Sequence, residues 1–143
     1  MLAPCVIGIL LALAVSIFAA TIRLDRDRAF YPTVTFVVAS YYVLFSVIGG
    51  TASTIVAESA IGATFVVVAA VGFRRTLWLV VVALAGHGVF DLLHGFVVSN
   101  PGMPAWWPAF CSSYDVTAAA FLAITLRRRS DTIVPRLEAA RRE

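Results

Sequence analysis

Long apolar runs, broken by short clusters of arginine, glycine or proline, set the pattern of this chain. A helix needs about 20 apolar residues to cross the hydrocarbon core of a bilayer. The first run, 2–22, supplies one, and Arg23, Arg26 and Arg28, mixed with Asp25 and Asp27, end it. Pro32 then suits the first turn of a second helix, where its missing N–H does no harm. The next apolar stretch extends from Thr33 to Phe73. As one helix it would be roughly 60 Å long at ~1.5 Å per residue, twice the hydrocarbon thickness. Gly49-Gly50-Thr51 is the natural break, because adjacent glycines permit a tight turn. Helices are therefore predicted over 33–49 and 52–73, the latter closed by Arg74 and Arg75. A fourth covers 76–98 and stops at Ser99-Asn100-Pro101-Gly102, whose Pro-Gly pair fits the centre of a type II turn. The fifth, 108–126, is followed at once by Arg127, Arg128 and Arg129. The predicted fold is an all-α polytopic bundle of five transmembrane helices within residues 1–129, with a short charged tail over 130–143.

The arginine clusters follow the first, third and fifth predicted helices, and the other two connections carry no basic residue. With five helices all of these clusters lie on one side. The positive-inside rule makes that side the cytoplasm, places the N-terminus outside and the tail inside, and suggests a bacterial inner membrane. The first run has no basic residue ahead of it, which argues against a cleaved leader. Trp106 and Trp107 sit where an interfacial aromatic belt is expected.

Composition agrees. Hydrophobic residues make up 61% of the 143 residues and charged ones 13%, against about 45–50% and 25% in soluble domains. The net charge is +3, but the arginines flank apolar runs and form no basic stripe with interleaved aromatics. Nucleic-acid binding is thereby excluded. Cys5 and Cys111 are too few for a disulfide scaffold and lack zinc-knuckle spacing. They fall at similar depth on helices one and five, so a disulfide between them stays open.

Five ionisable residues remain inside the apolar spans: Glu58, His87, Asp91, His94 and Asp115. An ionised Asp near the bilayer centre costs about 2.5–3.5 kcal/mol on an insertion scale, so each needs a partner, a proton or a task. Glu58, Asp91 and Asp115 each lie roughly 10 Å from the arginine-free end of their helices. Tyr41 and Tyr42 fall near the same layer. With these faces turned inward, the layer becomes one polar site with His87 at its floor. His87, Asp91 and His94 share a helical face through offsets of four and seven. Imidazole and carboxylate suit zinc, iron or manganese. A metal set of His87, Asp91 and His94 is the candidate, completed by Glu58 or Asp115. His87 and His94 are about 10 Å apart along the axis, so Asp91 with one histidine and one further acid forms the tighter set. Gly86 and Gly88 would let another helix approach His87. Ser112 and Ser113, one turn from Asp115, are a weaker nucleophile pair.

The stretches GHGVFDLLH (86–94) and NPGMPAWWPAFCSSYD (100–115) resemble a family of small uncharacterised bacterial multi-pass membrane proteins. A looser similarity, His87-x-x-x-Asp91 alone, is to the emopamil-binding sterol-isomerase group. That analogy implies acid/histidine chemistry on a lipid-soluble molecule, with Asp where that group tends to use Glu.

Three functions fit. In the first, an enzyme uses Glu58, Asp91, Asp115, His87 and His94 as catalytic or metal-holding groups on an amphiphilic small molecule reached from the bilayer. In the second, the same residues form a transporter's proton relay, although the stretch below His87 is almost uniformly apolar. In the third, an assembly or interaction subunit buries them only to fix its packing. A homodimer is plausible for so small a bundle.

Overall fold

The computed structural model describes residues 2–140, and side chains over 2–130. Five helices account for the architecture: α1 (Leu2–Thr21), α2 (Phe30–Gly49), α3 (Ala52–Arg74), α4 (Trp78–Val97) and α5 (Trp107–Ala140). All five are long and apolar enough to cross a membrane. The chain is thus an all-α, multi-pass membrane protein. Its outer surface is correspondingly apolar, with Leu2, Val56, Val67, Leu92 and Phe96 exposed.

Three boundaries differ by two residues or more from the pattern of apolar runs, each for a local reason. Helix α2 begins at Phe30 rather than Thr33, and Pro32 falls in its first turn, as expected, where its missing N–H does no harm. Helix α4 starts at Trp78, after Thr76 Oγ1 accepts a bond from the Trp78 N–H. Helix α5 continues through Arg127–Arg129 to Ala140, although its apolar window closes by Ser130. Arginine is a good helix former, so the end of lipid need not be the end of a helix. The predicted tail falls largely on that extension, and 141–143 lie outside the described residues.

Packing runs α1 on α5, α5 on α4, α4 on α3 and α3 on α2, with a lesser contact between α2 and α4. Without a hydrophobic drive between helices in lipid, small residues permit the close approaches. Gly8, Ala12, Ser16 and Ala19 form the buried stripe of α1. A Cβ on Gly8 would overlap Ser113 Oγ and the Phe110 carbonyl of α5. At Gly88 of α4, a Cβ would lie 3.0 Å from the Ser112 carbonyl of α5. Helices α1 and α2 flank an apolar cleft of about 920 Å³ whose back wall is α5.

The arginine clusters gather at one end. Arg28 donates through Nε and Nη2 to the Phe73 carbonyl (3.2 and 3.0 Å), satisfying the C-terminus of α3. Arg129 pairs with Asp25 at 2.7 Å, tying the first connection to α5. At the opposite end, Thr51 Oγ1 accepts from the Thr54 N–H and caps α3. A Cβ on Gly102 there would overlap the Phe45 carbonyl, so glycine lets the α4–α5 loop lie on α2.

Candidate functional site

Helix α4 is the spine of the interior. Its buried residues are Val80, Ala83, Leu84, His87, Gly88, Asp91 and His94, a stripe at spacings of three and four that follows one helical face. Towards the arginine end that stripe is aliphatic, and Leu122 of α5 is buried with Val80 and Leu84 in the same core. Towards the other end it is ionisable. Each of its three ionisable side chains meets a partner from a different helix.

His87 Nδ1 lies 2.7 Å from Asp115 Oδ2 of α5 and 3.7 Å from Asp91 Oδ2 on its own helix. Glycine at 88 makes the first contact possible, because α5 approaches where a side chain would otherwise stand. Asp91 Oδ1 accepts a 2.6 Å bond from the Tyr42 hydroxyl of α2. Cys111 Sγ is 3.8 Å from Asp115 Oδ2. Phe65 of α3 stands edge-on against the His87 ring, with centroids 4.9 Å apart.

His94 belongs to a second group. Its Nε2 is 2.7 Å from Glu58 Oε1 of α3, and the same oxygen accepts from Asn100 Nδ2 at 2.9 Å. Asn100 also donates to the Tyr42 carbonyl at 3.0 Å. The Tyr42 ring stacks on the His94 ring at 4.1 Å and 12°. Tyr42 therefore joins the two groups through its hydroxyl, its ring and its carbonyl.

All five ionisable residues of the spans are buried, at 0–1% exposure, and each is bonded across a helix interface. The face-inward arrangement is present, but as two linked groups rather than one layer. Glu58 and His94 take one side; His87, Asp91 and Asp115 take the other. Tyr42 and Asn100 complete the network. Asn100 had been legible only as a turn residue. Ser113 Oγ donates to the Phe110 carbonyl, the ordinary helix hydrogen bond of a serine. Of the two glycines beside His87, Gly88 meets α5, whereas a Cβ on Gly86 would meet only the Phe65 ring at 3.6 Å.

One ligand atom from each of His87, Asp91, Cys111 and Asp115 lies within 4.8 Å of the others. Ligands about 2.0–2.3 Å from a tetrahedral zinc ion stand about 3.3–3.8 Å apart. Side-chain shifts of about 1 Å would draw this group close enough to hold one metal ion. The donors fit: one imidazole nitrogen, two carboxylates and one thiol. Among the described residues Asp91 Oδ2 and Asp115 Oδ1 have no hydrogen-bond partner, so each has a lone pair to offer a cation. The set replaces His94 with Cys111. Its signal in the sequence was faint: Cys111 precedes Asp115 by four residues, and so shares its helical face. Cys5 and Cys111 are both free.

Cys111 has a second neighbour. With Trp107, Phe110 and Tyr114 of α5 it lines the cleft between α1 and α2. The wall of the lateral cleft is therefore also part of the ionisable group. Comparison with family models, with curated proteins and with solved structures gives no match.

Proposed function

We propose that this chain is a metal-dependent enzyme of a bacterial inner membrane, acting on a lipid-soluble substrate that reaches the centre sideways through the cleft. The observation that carries the proposal is the double position of Cys111, in the His/Asp group and in the cleft wall. In this reading His87, Asp115 and Cys111 would hold a divalent transition metal and leave a fourth position for the substrate, with Asp91 beside it. Zinc is the first choice, because it accepts nitrogen, oxygen and sulfur ligands together. Bound there, the metal would act as a Lewis acid on a substrate oxygen. Cys111, facing the cleft, is the ligand nearest to an arriving substrate. Asp91, held by the Tyr42 hydroxyl, is positioned to take or return a proton. Phe65 and the stacked Tyr42–His94 pair help to keep water out.

The supporting arginine pattern gives the orientation. The arginine end is cytoplasmic and the ionisable groups lie in the outer-leaflet half. Single cysteines introduced into a Cys5→Ser, Cys111→Ser chain should react with an impermeant maleimide from outside at Thr51 and Pro101, and not at Arg74. Labelling of position 74 from outside would reverse the topology.

A second reading has its own observation. Every ionisable side chain of the spans is hydrogen-bonded between helices, which also suits a subunit whose polar residues only fix packing. A proton relay is less well supported, since Val80, Leu84 and Leu122 fill the interior towards the arginine end.

Metal content separates the first two. Protein purified in mild detergent and analysed by mass spectrometry should carry about one zinc per chain. His87→Ala and Asp115→Asn should lose it, and His94→Ala should keep it. Wild-type protein that takes up no transition metal even after incubation with zinc would leave the packing reading.

A further inference from the structure

We infer that the cleft between α1 and α2 binds a single extended apolar chain whose uncharged, oxygen-bearing head lies beside Trp107. This deepens the proposed function: it makes the substrate class a neutral single-chain amphiphile. Only the word substrate rests on the catalytic reading; binding stands or falls separately.

The first argument is shape. The cleft runs from Pro4 and Trp106 at the arginine-free end to Leu24 and Asp27 at the other, which is nearly the length of α1. Its volume of about 920 Å³ falls at the upper end of the roughly 300–1,000 Å³ typical of small-molecule sites. An apolar space of that length matches an extended chain better than a compact molecule.

The second argument is an unused donor. Trp107 lines the cleft and is only 9% exposed. Tyr41 and Phe45 clamp its ring, with centroids at 4.9 and 4.8 Å. Its Nε1–H has no hydrogen-bond partner among the described residues. A buried indole N–H ordinarily finds an acceptor, and a small shift of the surrounding rings would let a ligand oxygen at this end of the cleft supply one.

The third argument is charge. Asp27 is the single charged residue among the cleft's described lining, and it lies at the far end. Its Oδ1 already accepts the Ala29 N–H at 2.9 Å. A phosphate or carboxylate head beside Trp107 would find no cation in the lining, whereas an ester, hydroxyl or carbonyl oxygen needs only the indole donor. Finally, Cys111 follows Trp107 by four residues, about 6 Å along the helix. A head group held by Trp107 thus stands one turn from the His87–Asp91–Asp115 group.

The test uses the full chain in phosphatidylcholine nanodiscs and a monoacylglycerol probe carrying a mid-chain diazirine. Photolabelling should concentrate on cleft residues such as Leu11, Val34 and Val38. Excess monoacylglycerol should suppress it, and excess lysophosphatidic acid should not. Trp107→Phe keeps an aromatic ring and removes the donor, so the competing concentration should rise about five- to tenfold. Val34→Trp, which fills the cleft, should abolish the labelling while helix content and monodispersity are retained. Labelling spread evenly over all lipid-facing helices would overturn the inference. So would competition by lysophosphatidic acid equal to that by monoacylglycerol, or cross-linking of the cleft to a second copy of the chain. The same experiment on His87→Ala keeps the two proposals apart. Labelling that persists while no variant or wild type binds metal retires the enzyme reading alone. Metal binding without cleft labelling retires this inference alone.

Discussion

Glu58→Ala is expected to be the most destabilising single substitution in the span interior. One oxygen of Glu58 is hydrogen-bonded to both His94 Nε2 and Asn100 Nδ2. Removing it leaves two buried nitrogens each one bond short. An isolated hydrogen bond between membrane helices averages only about 0.6 kcal/mol in measured cycles. A buried polar group left short of a partner costs about 1–3 kcal/mol, and Glu58→Ala creates two such groups. A loss of about 3 kcal/mol follows. Thermal unfolding in detergent should show it as a Tm well below that of Phe96→Ala, whose parent side chain is 90% exposed. Glu58→Gln retains an acceptor oxygen and should stay close to wild type. If Glu58→Ala melts with the Phe96→Ala control, the trio contributes nothing to stability and its bonds are incidental.

Cobalt substitution should produce the largest change that can be read directly from the metal group. Cobalt(II) bound with a thiolate gives a near-ultraviolet charge-transfer band that nitrogen and oxygen ligands do not. The band should appear on titration of the apo-protein and vanish in Cys111→Ser. Visible bands from the remaining ligands should persist in that variant. In His87→Ala the titration should show roughly a hundredfold loss of affinity or more, since a missing imidazole removes one of three protein donors outright. In Cys5→Ser nothing should change. A band that survives Cys111→Ser would place the sulfur elsewhere and remove the link between the centre and the cleft.

The helices were legible because lipid imposes a length. Apolar runs near 20 residues, and arginines between every second pair, admit few arrangements. The end of α5 was not legible, because Arg127–Arg129 mark where hydrocarbon stops and say nothing about backbone hydrogen bonds. The site residues were legible for an energetic reason: Glu58, His87, Asp91, His94 and Asp115 are too costly to face lipid. Their pairing was not. Depth along a helix follows from residue number, but rotation about its axis depends on where small residues let neighbours approach. Gly88 sets α5 against His87, and Gly102 sets the following loop on α2. Those two contacts decide that Asp115 meets His87 and that Asn100 reaches Glu58. Cys111 was legible only by its depth, because a lone cysteine four residues from Asp115 carries little pattern. Tyr42 was visible only as a residue at the right depth.

The packing of α1 against α5 has a consequence for how the protein is made. These are the first and last of the five spans, yet the Gly8–Ala12–Ser16–Ala19 stripe of α1 is matched to α5. During synthesis α1 enters the membrane with its small-residue face uncovered. It must wait, about a hundred residues later, for the partner that covers it. Such long-range closure is slow, and the interval exposes a surface suited to wrong partners. The Asp25–Arg129 pair can form only at that closing step. It would act as a latch on the finished bundle, and chains halted before α5 would remain open to the quality-control proteases of the membrane.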